Sequence, residues 1–451
     1  MSNYRPYPKY KPSGVEWLGD VPEGWEVSRI KNVATINASK SEVSHLDPET
    51  EISFLPMEAV GDDGSLDTST TRQLADVLTG YTYVRENDVL VAKITPCFEN
   101  GKGCIARGLN NGIGFATTEV VPIRPNKRSI PEFLYFLLHG LPFRKVAEGS
   151  MYGAGGQKRV SDTFVAGYSF ALPPLPEQHQ IASFLDRECG KLDALQAKQE
   201  RLIELLKEKR QALISHAVTK GLDPTAKLKP SGVEWLGEVP EGWKRAKLSH
   251  YIETRKGIAF KADDFTDEGI PVVKASDIKN GTLNPSGTNL PINYQTIYPK
   301  AVLRTGNIIL STVGSIPEVK NSAVGQICEV PASHDGFLLN QNTVIFSTNA
   351  VRLDQRFCFM LLKCDRYRDH LDLHAHGTAN QASLNVADML DFNFPLPPLA
   401  EQRAIVAHLD EKCGKIDQLK AKAERGIELI KERRSALISA AVTGKIDVRD
   451  S

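Results

Sequence analysis

The stretch PSGVEWLGDVPEGW, from Pro12 to Trp25, recurs from Pro230 to Trp243 with a single change, Asp20 becoming Glu238, at a spacing of 218 residues. A second pair closes what the first opens. LPPLPEQHQIASFLDRECGKLDAL from Leu172 matches LPPLAEQRAIVAHLDEKCGKIDQL from Leu396, now 224 residues apart, so the second copy carries about six extra residues between its flanking motifs. A repeat of this size must be recognised first, because missing it misassigns the whole fold. At 451 residues the chain is too long for one ordinary core, and each half is long enough to bury its own.

Beyond each PPL-x-EQ motif the apolar residues follow a helical period. Pro173, Pro174 and Pro176 end the preceding segment and leave Glu177 in the first turn, where a carboxylate suits the helix dipole. One heptad stripe runs Leu185, Leu192, Gln199, Leu206 and Leu213, with Leu195 and Leu202 on the adjoining line; its counterpart runs Leu409, Ile416, Ala423, Ile430 and Leu437. Matching seams of this length predict two helices packed as a coiled coil, each about 40 residues or 60 Å long. Leu185, Leu192, Leu206, Leu409, Ile416 and Ile430 are also the candidate positions for partner contact. Gly190 and Gly414 stand at equivalent places, where glycine weakens a helix.

The intervening stretches of about 150 residues are mixed in character. Apolar runs at Asp88 to Ile94, Glu119 to Ile123, Asn307 to Val313 and Asn342 to Phe346 predict strands, and Pro131 to Leu138 predicts a short helix. The expected fold is α+β, with two tandem sheet-containing domains separated by two long antiparallel helices and related by a pseudo-twofold internal repeat. Residues 1–176 form the first domain with its N-terminal segment, 177–220 the first long helix, 221–396 the second domain, and 397–445 the second long helix and tail.

The seven cysteines are odd in number and none stands in a CxxC pair, so neither a disulfide framework nor a zinc ribbon is supported. With no run of about 18 apolar residues and no signal peptide, no membrane partner is expected and the cytoplasm is the default compartment. A net charge of zero argues at first against nucleic acid, whose binding is driven by phosphate neutralisation. The charge is polarised, however. Ser41 to Asp76 carries nine acidic residues against Arg72 alone, whereas Arg124 to Arg159 carries seven basic residues against Glu132 and Glu148. That distribution suits a protein with one DNA face and other faces for protein partners.

The paired VPEGW openings, the paired PPL-x-EQ-x-x-I-x-x-x-LD helix starts and the phrase NDVLVAKITPCFENGKG from Asn87 together resemble the specificity subunit of type I restriction-modification systems, over nearly the whole chain. The resemblance implies two target recognition domains, each reading one half of a bipartite, asymmetric site in double-stranded DNA, with the long helices as spacer. It implies no chemistry on this chain. Two adenine-N6 methyltransferase (M) subunits would bring S-adenosylmethionine, and two restriction and translocase (R) subunits would use ATP and Mg2+. A non-catalytic coiled-coil scaffold and a self-contained DNA-modifying enzyme are the alternatives.

The sequence offers specific candidates for DNA contact. Aligned on the proline motifs, Gly153, Gly156, Gln157 and Ser161 fall on Gly377, Asn380, Gln381 and Asn385. Gln157 and Gln381 can pair bidentately with adenine, while Lys158 and Arg159 can take phosphate or guanine; Ala382 and Ser383 replace those two cations in the second copy. Aligning Gly114 with Gly336 sets Thr118 and Glu119 opposite Asn340 and Gln341, and a carboxylate suits cytosine N4 where an amide suits adenine. Lys93, Lys102 and Arg107, and the cluster Arg255, Lys256 and Lys261, are candidate phosphate contacts.

Catalytic motifs are missing from the places where they would be expected. Asn284-Pro285-Ser286-Gly287 and Asn393-Phe394-Pro395-Leu396 both fail the (N/D)PP(Y/F) pattern, and no GxxxxGK[ST] loop is present. His370, His374 and His376 crowd near Asp372 without a fitting fourth metal ligand motif, which favours a surface cluster over a metal site.

Overall fold

A computed structural model of the chain describes residues 4–154, 156–279, 281–314, 324–378 and 381–449. It divides into two compact units: 1–200 together with 424–451, and 201–423. Each takes part of both long helices, which run from Leu175 to Lys220 and from Leu399 to Val442. The four-part linear division of the sequence is thus cut across by the packing. Gly190 and Gly414 interrupt neither helix.

In the first unit, one four-stranded sheet has the order Thr71–Gln73, Glu51–Leu55, Ile113–Ala116, Thr82–Arg85, and a second has the order Ala34–Ile36, Val120–Pro125, Val89–Ala92, Gly103–Ile105. Strand Val89–Ala92 is buried along its whole length. Its side chains alternate between faces. Val89 and Val91 join the core with Phe133, Phe136 and Leu137 of helix Pro131–His139, while Leu90 packs with Leu55, Val84 and Val120. Pro131 begins that helix where its missing N–H costs nothing.

The second unit repeats this plan. Its main sheet has the order Ile252–Lys256, Thr343–Thr348, Ile308–Ser311, Ile327–Glu329. Ile308 and Leu310 face Phe357 and Leu361 of helix Gln355–Leu362, and Ile309 faces Val273, Cys328 and Ile345.

The repeated motifs form the frame of each unit. Strand Glu26–Arg29 pairs antiparallel with Ser169–Leu172, and Lys244–Lys247 pairs with Asn393–Leu396, so each Trp motif lies beside the start of a long helix. Gln178, buried, donates from Nε2 to Pro173 O and Arg128 O at 2.9 Å each and accepts from Ile130 N at 3.2 Å. Gln402 makes the equivalent bonds to Pro397 O, Arg352 O and Asp354 N. A buried amide with its polar atoms satisfied fixes one geometry, and here it locks the helix start to the turn that opens the domain's own helix.

The helices run antiparallel within each unit. In the first, Tyr7 Oη donates to Glu177 at 2.6 Å and Tyr10 Oη to Gly444 O at 3.0 Å, which brings the start of one helix beside the end of the other; Arg434 and Asp193 pair at 3.1 Å farther along. In the second, Trp243 lies against both Gly221 and Glu401, and Arg210 pairs with Asp417 at 3.3 Å.

The heptad stripe forms an intrachain seam. Leu185, Leu206, Leu409, Ile416, Ala423, Ile430 and Leu437 are buried, and Leu192 is partly so. This corrects the expectation that Leu185, Leu206, Leu409, Ile416 and Ile430 meet a partner, because their apolar surface is already buried inside the chain; Leu192 keeps part of its surface exposed. Among the described residues of the two long helices, the exposed leucines are Leu175, Leu195, Leu202, Leu205, Leu419 and Leu429. Among the described residues no helix is long and apolar enough to cross a membrane.

Candidate nucleic-acid interface

Beyond the buried end of strand Val89–Ala92 the chain continues into a small polar ribbon in the first unit. Lys93 N donates to Glu119 O, and Val160 N donates to Lys93 O, both at 2.9 Å. Ile94 then bridges Arg159, and Arg159 bridges Tyr152 on its other side, both antiparallel. Arg159 is therefore the middle rung of a three-stranded ribbon, held by backbone bonds from two neighbours. Thr95 staples the turn, its Oγ1 donating to Gly156 O at 2.5 Å and accepting from Lys158 N at 3.0 Å. Gly153 is required at the tight end, since its φ is +123° and a Cβ there would come within 2.6 Å of Gln157 O.

Glu119 and Arg159 form the main charged contact on this ribbon. Arg159 Nε lies 2.9 and 3.1 Å from the two Glu119 carboxylate oxygens and Nη2 lies 2.8 Å from one of them. Hydrogen bonding and attraction from Glu119 raise the Arg159 pKa above its ordinary value, against a smaller opposing effect of desolvation. Gln157, Lys158 and Thr118 are exposed nearby in the chain. Lys93 Nζ stands 3.5 Å from Asp162, which also accepts from Asn37 at 2.8 Å.

The second unit builds the same ribbon from other side chains. Thr312 N donates to Asn342 O, Leu384 N donates to Thr312 O, and Ser383 pairs with Val313 on one side and His376 on the other. Ser383 stands in the place of Arg159, in agreement with the proline-motif alignment. The other alignment shifts by one residue. Val120 pairs with Ala92 as Thr343 pairs with Ser311, so Glu119 corresponds to Asn342, Thr118 to Gln341 and Thr117 to Asn340. The expectation that Glu119 faces Gln341 across the repeat is corrected accordingly. Gln341 is exposed, while Asn340 donates its backbone N–H to Val273 O at 2.9 Å and accepts on Oδ1 from Asn342 N at 3.4 Å.

The ribbon of the first unit thus gathers Lys93, Glu119, Gly156, Lys158 and Arg159. Other candidates lie elsewhere. Lys102 Nζ donates to Met57 O at 3.1 Å. Arg107 pairs with Glu132 and lines a cleft of about 410 Å³ with Asp63, Asp186, Asp193 and Arg434. Ser161 and Asn385 serve as helix N-caps, accepting from Phe164 N and Ala387 N. Lys256 is exposed on an outer strand of the main sheet of its unit, and Lys261 N is held by Asp264. Gln381 belongs to strand Gln381–Ser383, and Asn380 lies outside the described residues. His370 and His374 are accounted for by hydrogen bonds, to Asp388 O and His370 O at 2.7 Å each. Thr95 and Asn342 were missed by sequence reasoning; Thr95 directly follows the apolar run that marks the strand.

The family model described as "Type I restriction modification DNA specificity domain" matches twice, over residues 22–205 and 240–428. The chain belongs to this family. It is 28% identical to the type I restriction enzyme EcoAI specificity subunit of Escherichia coli, an alignment covering 89% of this chain and 79% of that one. It is 26% identical to the MjaVIII specificity subunit of Methanocaldococcus jannaschii, over 95% of both chains. Among solved structures, a chain from work on assembly and conformational transition of the type I R-M system superposes with a TM-score of 0.73 at 19% identity, covering 94% of this chain and 98% of that one. The HsdS subunit from Thermoanaerobacter tengcongensis gives a TM-score of 0.51, also at 19% identity and with the same coverage. At such identities the structural likeness speaks for the fold alone.

Proposed function

We propose that this member of the type I restriction modification DNA specificity family is the DNA-recognition subunit of a type I restriction-modification complex, each unit reading one half of a bipartite, asymmetric site. The observation that carries this reading is the ribbon built twice in one backbone register with different side chains on it, Glu119 and Arg159 in one unit against Asn342 and Ser383 in the other. Two readers with one scaffold and different chemistry suit an asymmetric target. Binding one half makes the second contact effectively intramolecular.

In this reading the chain performs no bond chemistry and binds no cofactor of its own. S-adenosylmethionine belongs to two methyltransferase subunits that modify adenine N6, and ATP and Mg2+ to two restriction and translocase subunits. The exposed Leu195, Leu202, Leu205, Leu419 and Leu429 support contact with protein partners better than the buried seam does. Long-read mapping of methylated adenines, with and without this gene in its native genome, tests the assignment. One bipartite motif is expected to vanish on deletion. A full set of motifs retained after deletion, or robust methyl transfer by the purified chain alone, refutes it.

A further inference from the structure

We infer that Arg159 reads a guanine in the half-site of the first unit, and that Glu119 is the positioning residue that sets the plane of its guanidinium instead of reading a base itself. This rests on the assignment of the chain as a DNA-recognition subunit and adds the identity of one base and of its reader.

The edge of the arginine that Glu119 occupies decides what the rest can contact. A guanidinium carries five N–H donors in a fixed fork. Glu119 takes the side edge, through Nε and Nη2. That leaves both protons of Nη1 and one of Nη2, the end edge, and Nη1 has no acceptor among the described residues. This end edge is the pair of parallel donors that matches guanine O6 and N7 in the major groove. A carboxylate on the side edge fixes the plane of the fork while leaving the end edge open.

Placement supports the same conclusion. The backbone of Arg159 is fixed by Ile94 on one side and Tyr152 on the other, which limits its freedom before any contact is made. Its side chain keeps 34% of its surface exposed, and Tyr152, directly opposite and therefore on the same face, is 59% exposed. Glu119 is a poor reader for cytosine N4 in this geometry, because both of its oxygens already accept from Arg159. In the second unit Ser383 and Asn342 hold these two places. No guanidinium reads a base from that position, so the two half-sites differ in what this rung selects.

The test maps methylated adenines in native cells carrying the full complex with Arg159→Ala, Arg159→Lys, Glu119→Gln or Glu119→Asp. With Arg159→Ala, one G·C position in one half of the motif is expected to become degenerate, by roughly tenfold to hundredfold as for loss of one bidentate base contact, while the other half keeps its sequence. Arg159→Lys, which keeps the charge but lacks the fork, should relax the same position. Glu119→Gln should relax it partly, and Glu119→Asp should retain selectivity.

An unaltered motif with methylation lowered evenly, restored by Arg159→Lys, marks a phosphate contact and overturns the inference. So does relaxation at an A·T position. Should Arg159→Ala abolish methylation altogether, competition binding of the purified full-length Arg159→Ala chain to duplexes of the native motif, varied one G·C pair at a time and compared with the unaltered chain, decides. Equal affinity losses at all positions overturn the inference, and tolerance of substitution at one G·C pair upholds it. If deleting the gene leaves every motif in place, the proposed function itself fails, whatever Arg159 does.

Discussion

The indole N–H of Trp243 donates to the Glu401 carboxylate across 3.0 Å, joining the Trp motif of the second unit to the first turn of its long helix. In the first unit the matching carboxylate, Glu177, accepts from Tyr7 instead, and the buried Trp25 Nε1 has no partner among the described residues. The two tryptophans are alike in sequence and in burial but differ in polar satisfaction. Replacing each by Phe removes similar volume. Trp243→Phe also strips a hydrogen bond to a charged group, so it should cost about 1–2 kcal/mol more than Trp25→Phe. Urea denaturation of the two variants measures the difference, and equal losses would sink the assignment of a stabilising role to the Trp243–Glu401 bond.

Gln178→Ala should destabilise the chain by about 1–3 kcal/mol for each backbone group left buried without a partner. The buried groups at stake are Ile130 N–H and Pro173 O. Gln402→Ala should do the same through Pro397 O. Calorimetry reads this as a lowered Tm for either variant; an unchanged Tm would mean that water replaces the amide at no cost.

Burial holds the His139 pKa down to about 4, while Nδ1 lies 2.8 Å from Tyr135 O. The folded chain therefore keeps this imidazole neutral where the unfolded chain, near the ordinary value of about 6.5, takes up a proton. Stability is full above the unfolded value and falls as pH drops from about 6.5 towards 4, by up to about 3 kcal/mol from this group. His139→Gln should flatten that acid limb in denaturation curves taken across the interval. A slope identical to that of the unaltered chain would show that His139 titrates normally.

Thr95→Val should loosen the turn that carries Gln157 and Lys158, because it removes the donor to Gly156 O and the acceptor for Lys158 N. DNA affinity, by fluorescence anisotropy on a duplex of the native motif, should fall several-fold with little change in Tm. A Tm loss equal to that of the glutamine variants would instead place Thr95 in the structural frame.

Much of the frame is legible in the sequence because it depends on short-range rules. The prolines before Glu177 and Glu401 stop one element and start another, and the helices begin at Leu175 and Leu399 as that chemistry requires. The register of the ribbon is not legible in the same way. Gly114 and Gly336 invite alignment by type, yet Gly114 lies inside strand Ile113–Ala116, whereas Gly336 sits at φ +86° in the turn before Leu338. One residue type serves two purposes, and the alignment slips by one. Lys102 and Arg107 show a different limit. They come after Lys93 in the chain, but they flank the separate strand Gly103–Ile105, which sends one to a carbonyl and the other to Glu132.

The division of the chain into units has a consequence for its synthesis. The second unit is one unbroken stretch, 201–423, whereas the first needs 424–451, whose Leu437, Ile438, Ala441, Ile446 and Val448 belong to the core of Trp25 and Phe133. A nascent chain emerging from the ribosome can therefore complete its later half while its earlier half still waits for its last helix. Synthesis from the N-terminus supplies every residue of the second unit before the last residues of the first, and a chain cut short before residue 424 lacks apolar residues that the first unit's core contains.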